Sequence, residues 1–173
     1  VVQLADLLRR LLNAGERDFA KLSDELQFVR LYMELQQRRF ADRLSFVLPL
    51  PQEIPAVWVP SLIMQPLVEN AVVHGLAGHQ GAVTVRISVR LVHDELVISL
   101  FNTIAAQGSA GEAGIGLKNV RERLAVQFEG RAQLSSEGVD GEWCSEITMP
   151  AILQAPVRDS RPLAALIGTW VRT

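Results

Sequence analysis

Cysteine is almost missing from this chain: Cys144 is the only one in 173 residues. No internal disulfide can form, and at this length roughly 70% of the unfolded surface can be buried, so a core needs no covalent staple. A lone cysteine is also compatible with a reducing cytoplasm. Long apolar runs are missing too, with none of 18 or more residues, so nothing in the sequence reads as a membrane-spanning helix. The start VVQLADLLRR lacks the charged-then-apolar order of a signal peptide. It opens inside an amphipathic pattern with no methionine, as a piece of a longer chain would, and an upstream membrane anchor is compatible with that. Surplus charge is absent as well: 17 Lys and Arg stand against 19 Asp and Glu, for a formal net charge of -2. Direct nucleic-acid partners normally call for a basic excess, so that class is set aside. With 49% hydrophobic and 21% charged residues, an ordinary globular chain remains.

Periodicity supplies the elements. Leu4, Leu7, Leu8, Leu11 and Leu12 recur at helical spacing up to the stop signal Asn13-Ala14-Gly15. A second helix is expected from Ser23, with Asp24 and Glu25 where the helix dipole favours negative charge. Its seam of Leu22, Leu26, Val29, Met33 and Phe40 is flanked by Phe28, Tyr32 and Leu35, an apolar face wide enough to pack on a second copy. After Arg43 the period changes. LSFVLPL and the proline-marked QEIPAVWVP predict two short strands, and PLVENAVVHGL predicts a helix with Pro66 near its first turn. Strict alternation from Val83 to Leu91, the turn HDE and then LVISLFN predict a hairpin with one wet face. TIAAQGSAGEA reads as a glycine-rich loop, GIGLKNVRERLAVQF as a helix, and RAQLSSE and GEWCSEITMP as two final strands. This order predicts an α/β fold, a two-layer sandwich of one mostly antiparallel sheet with helices on one face, preceded by a helical hairpin. The expected divisions are a partial hairpin at 1–43, a main domain at 44–150, and a tail at 151–173 whose role is not derivable.

Two stretches carry chemistry. On a helix Asn70 and His74, four apart, share one face while Val68, Ala71 and Val72 point to the core. An asparagine oxygen suits Mg²⁺, which takes few protein ligands beside phosphate oxygens and waters, and His74 can donate to a phosphate. GEAGIGLKNVRERL places Gly-x-Gly at a helix start, where free amides and the dipole favour an anion. It is neither a P-loop nor a dinucleotide fingerprint, since no Gly-Lys-Ser/Thr and no parallel strand-turn-helix accompanies it. The pair, with a glycine-rich loop between, is coherent as a triphosphate site.

PSLIMQPLVENAVVHGL, VISLFN and GIGLKNVRERL, in this order, resemble the ATP-binding domain of the LytS/YehU-type sensor histidine kinases in the GHKL superfamily. The preceding ELQFVRLYMELQQRRFADRL resembles the second helix of their dimerisation hairpin. The resemblance implies a Bergerat-type ATP-binding fold, with ATP and Mg²⁺ as cofactors. It makes Asn70 the Mg²⁺ ligand and a catalytic residue, with Glu69 beside it as a second catalytic candidate. His74 would lie near the phosphates and Asn102 near the adenine. Gly114, Ile115, Gly116 and Leu117 would lend phosphate-binding backbone, and residues 103–113 would form the ATP lid. The activity implied is transfer of the ATP γ-phosphoryl group to a histidine upstream of this sequence. The implied partner is a response regulator, LytTR-type among the candidates. The full-length protein would be a homodimer through residues 1–40, and this part cytoplasmic in an inner-membrane protein.

The sequence departs from the family's pattern at three places. Asn102-Thr103-Ile104 stands where Asp-x-Gly is usual, and Val73 where a basic residue is frequent. None of His74, His79 or His93 matches the phosphoacceptor motif. The related ATPases carry a general-base glutamate where this chain has Pro66, so water activation by that route is closed. Glu69 points about 100° from Asn70 on a helix, which suits orienting neighbours better than activating a nucleophile. These departures motivate an alternative: a degenerate kinase-like module that dimerises or docks a regulator without using ATP.

Overall fold

The computed structural model describes residues 18–76, 81–103, 115–139 and 141–156, with Ile115 and Val139 as backbone only. Strand alternation builds its centre. β4 (Val83–Val92) and β5 (Glu95–Thr103) pair antiparallel across the His93-Asp94 turn, with Ile87 opposite Leu100 and Val85 opposite Asn102. β7 (Glu142–Pro150) pairs antiparallel with β5, and β6 (Gln133–Val139) with β7. β2 (Leu44–Val47) adds to β4 in parallel. A parallel neighbour needs a crossover, which here runs through β3 (Trp58–Pro60) and α2 (Gln65–Leu76). The sheet is therefore five-stranded and mixed, in the order β2-β4-β5-β7-β6.

One face is apolar. Val85, Ile87, Ile98, Leu100, Ile147 and Met149 are at most 2% exposed and share one core with residues of α1 (Leu22–Phe40), α2 and α3 (Ile115–Gln127). The other face is a polar ladder, in which Arg86 pairs with Glu142 at 3.0 Å and Ser99 donates to Glu146 at 2.7 Å. The expected two-layer sandwich with helices on one face is what the chain forms.

Two features of the N-terminal part were not legible. Phe19–Lys21 forms β1, which pairs antiparallel with β3 in a separate two-stranded ribbon, so β3 stays out of the main sheet. Trp58 extends this ribbon by donating to the Ile152 carbonyl at 2.7 Å, which ties the first residues of the C-terminal segment to the domain. α1, in turn, spends its seam at home: Leu22, Leu26, Val29 and Met33 are 0–4% exposed within the domain's core. Four of the five seam residues are thus used within the domain, and Phe40 packs partly buried against the same core. The contact is tertiary: β1 is paired with β3, and the Leu22 amide donates to the Val57 carbonyl at 2.9 Å, which ties the start of α1 to the domain. The other helix expected of the hairpin, residues 1–12, lies outside the described residues, as do most of the glycine-rich loop and the tail from 157.

α1 begins at Leu22, and Ser23 provides no side-chain cap. Nor is Glu25 a solvated dipole residue. It is 4% exposed, and its Oε1 accepts from the Leu62 amide at 2.8 Å. Burial pushes its carboxyl above the usual range, and outweighs the opposing pull of the Leu62 and Met64 amides, the Arg123 charge and the Ile63 amide. A raised folded-state value means that ionising Glu25 costs stability. The cost is absent below the ordinary carboxylate value of about 4.3 and sets in as pH rises through the raised one. Denaturant unfolding across this range should show Glu25→Gln gaining on the natural protein as pH rises, with the two converging in acid. A pH-independent difference would contradict this account.

Candidate functional site

α2 places the chemistry because only part of its circumference is apolar. Leu67, Val68, Ala71 and Val72 are at most 3% exposed, which leaves Glu69 and Asn70 half-buried and Val73 and His74 exposed on the remaining side. α3 packs beside it. A cleft of about 200 Å³ between them is lined by Pro66, Glu69, Asn70 and His74 from α2 and by Gly116 and Leu117 from α3, with Val73 at its edge. The two motifs separated by some forty residues of sequence thus face each other. They come close: a Cβ on Gly116 would just touch Pro66 Cβ, at 3.4 Å. Pro66 is therefore the surface against which the start of α3 is seated.

Glu69 is already engaged. Gln65 Nε2 donates to its Oε1 at 2.7 Å, and its charge is the second cause, after burial, that lifts the Tyr32 pKa. Among the described residues no group of three or more His, Cys, Asp or Glu is gathered for a metal. A cation in this cleft would rely on the Asn70 oxygen together with ligand oxygens and water, a donor set that suits Mg²⁺.

Asn102 is not among the residues that line this cleft. It lies on the helix-covered face of β5, 1% exposed, below the last turn of α2. Its Nδ2 donates to the Thr103 carbonyl at 3.2 Å, while its Oδ1 has no partner among the described residues. Leaving a buried acceptor unmatched costs on the order of 1–3 kcal/mol, which a donor from a ligand would recover. Gly75 permits this depth, since a Cβ there would meet Val83 Cγ1 at 2.7 Å and the Thr103 carbonyl at 3.4 Å, with Asn102 Nδ2 at 3.6 Å. Gly114, residues 104–113 of the expected lid and the Ile115 side chain lie outside the description, although Ile115 does open α3. Sequence reasoning overlooked three residues here: Gln65, Glu25 and Arg123. Glu25 left a readable signal, an acid inside the Leu22, Leu26, Val29 stripe.

Comparison with known proteins agrees with this picture. The family model for histidine kinases matches residues 1–44. The sensor histidine kinase YesM of Bacillus subtilis is 33% identical over 133 residues, covering 74% of this chain and 23% of YesM. Sensor histidine kinase BtsS of Escherichia coli is 30% identical over 64% of this chain and 20% of its own length. The sensor protein LytS of Oceanobacillus iheyensis is 27% identical over 81% and 26%. This chain thus spans about a quarter of each of these relatives. By fold it is similar to the catalytic domain of histidine kinase ThkA, at a TM-score of 0.58 and 14% identity over 79% of this chain and 98% of that one. Acinetobacter baumannii histidine kinase AdeS gives 0.57 and 15%, over 86% and 77%.

The fold is the one found in histidine-kinase catalytic domains. The histidine-kinase family model over residues 1–44 and the sensor-kinase relatives, LytS among them, together support the ATP-binding domain of a sensor histidine kinase.

Two substitutions test the geometry. Asn102→Asp should bind Mg-ATP several-fold more tightly, because a charge-assisted bond is roughly twice as strong as a neutral one, and should melt lower without nucleotide because the carboxylate is buried. Isothermal titration and a melt measure both, and weaker binding would show that Oδ1 does not meet the ligand. Gly75→Ala should destabilise by about 1–3 kcal/mol, since the added methyl overpacks against Val83. An unchanged denaturation midpoint would remove the close approach.

Proposed function

We propose that this chain is the catalytic, nucleotide-binding portion of a two-component sensor kinase, which binds Mg-ATP between α2 and α3 and passes the γ-phosphoryl group to a histidine upstream of residue 1. The observation that supports it best is the cleft, which sets Asn70 and His74 opposite Gly116 and Leu117. Asn70 is the metal ligand in this reading. His74, exposed at the cleft, donates a hydrogen bond to a phosphate oxygen. The free amides at the start of α3 receive phosphate oxygens, as helix N-termini do. Asn102 Oδ1 is the acceptor for the adenine amino group. Glu69, held by Gln65, orients its neighbours and does not activate water.

Phosphoryl transfer asks for placement and charge neutralisation more than for covalent help from the protein. Bound Mg²⁺ supplies that neutralisation, and the protein's part is to hold metal, phosphates and base at fixed separations. A response regulator receives the phosphoryl group next, as histidine kinase ThkA has been solved in complex with the response regulator TrrA. We extend the proposal to a homodimer through residues 1–40 in the full-length protein, to a response regulator with the LytTR type among the candidates, and to a cytoplasmic place for this portion.

Calorimetric titration of Mg-ATP into the chain and into Asn70→Ala tests the reading. Saturable binding should appear, and the variant should weaken it at least about tenfold, the scale on which metal-site losses are felt. No heat at millimolar nucleotide would overturn it in favour of a docking module that has lost ATP.

A further inference from the structure

α2 must be held in place at its N-terminal end, yet it carries no acidic residue in its first turn. The turn before it, Ser61 to Met64, includes Leu62 at φ 58, a left-handed conformation that a branched residue adopts only when its surroundings impose it. Two side chains from other elements grip that turn. From α1, the buried Glu25 carboxylate accepts the Leu62 amide at 2.8 Å and is further favoured in its ionised form by the Met64 and Ile63 amides. From α3, Arg123 Nη1 donates to the Ser61 carbonyl, and Nη2 to the Asp18 carbonyl at 3.4 Å. The Asp18 carbonyl also accepts the Ser61 amide at 3.0 Å. Glu25 and Arg123 are close enough for each to feel the other's charge.

We infer that Glu25 and Arg123 form a two-sided clamp on the Ser61–Met64 turn and act as positioning residues that set α2, and Asn70 with it, against the start of α3. The inference rests on the nucleotide reading above. Asn70 lies on the helix that leaves this turn, and Gly116 lies on the helix that carries Arg123, so the clamp joins the two walls of the cleft. It also includes Asp18, through which the chain preceding α1 runs into the domain. A shift of Asp18 relative to α1 therefore reaches α2 through three hydrogen bonds and the short Ser61–Met64 turn. The carboxylate suits this role physically. Once buried among amides it cannot exchange them for water cheaply, so the turn has one low-energy arrangement.

The test uses Glu25→Ala, Glu25→Gln and Arg123→Lys in the whole chain, with Val89→Ala as a control for general loss of stability. Amide exchange over residues 61–74 is measured without nucleotide, and Mg-ATP affinity by calorimetry. Glu25→Ala should speed exchange through the turn and first half of α2 and weaken Mg-ATP about tenfold, as small misplacements of a binding group do. Glu25→Gln should retain most of the affinity, since its amide oxygen can still accept from Leu62. Arg123→Lys loses the two-pronged grip on Ser61 and Asp18 and should weaken binding several-fold at little cost to folding, which keeps the test sound should Glu25→Ala fail to fold. Affinity in Glu25→Ala or Arg123→Lys no weaker than in the Val89→Ala control would overturn the clamp. So would unchanged exchange over residues 61–74. If the natural chain binds no nucleotide, the nucleotide reading fails, and the exchange data still decide whether the clamp exists.

Discussion

Burial of α2 against the sheet governs the rest of the structure. Its apolar residues Leu67, Val68, Ala71 and Val72 have one place to go, the surface formed by β4 and β5. Once they are there, the geometry of a helix leaves Asn70 and His74 only the flank next to α3. Asn70 owes its position to the hydrophobic residues beside it, because a polar side chain at the edge of a core cannot choose its own direction. The same docking brings Gly75 onto Val83 and the backbone of Thr103, and puts the last turn of α2 directly over Asn102. The cleft residues and Asn102, assigned in the proposal to metal and base, are therefore placed by one packing event.

Holding that helix requires polar contacts where apolar packing ends. Leu62 in a left-handed conformation, the Glu25 carboxylate and the Arg123 guanidinium meet before α2, where backbone amides and carbonyls would otherwise lie unsatisfied beside a core. Such a group is expensive to bury and expensive to disturb. The cost is visible in the raised Glu25 pKa and in the lowered one of Arg123, each moved first by desolvation. Specificity of placement is what that cost obtains, and a cleft formed between two helices has use for it.

The departures from the family pattern can now be weighed against neighbours. Val73 is 61% exposed at the edge of the cleft, so the missing basic residue removes a contact at the solvent side and leaves Asn70 as it was. Asn102 is the opposite case. It is almost fully buried, and its unmatched Oδ1 retains the acceptor that an aspartate would offer, without the charge. In the proposed reading this change bears on the strength of one hydrogen bond, while Ile104, the other half of the departure, lies outside the described residues.

Elements whose identity is local could be read from sequence alone. The alternation of Val83, Val85 and Ile87 and the helical spacing of Val68, Ala71 and Val72 specify β4 and α2 because each pattern matches the geometry of its own backbone. The two motifs were legible for the same reason, as both Asn70-x-x-x-His74 and Gly114-Ile115-Gly116 are local. Long-range pairing decided the remainder. Sequence spacing is silent on β1 pairing with β3, on β2 running parallel to β4, and on whether the α1 stripe meets its own domain or another chain. Each depends on which of several compatible surfaces is nearest once the sheet has formed. Only the folded chain could show that Glu25, placed by sequence at a solvated helix start, is the buried acid that holds α2. A charge's role is set by the amides around it, and those amides arrive from 37 residues away.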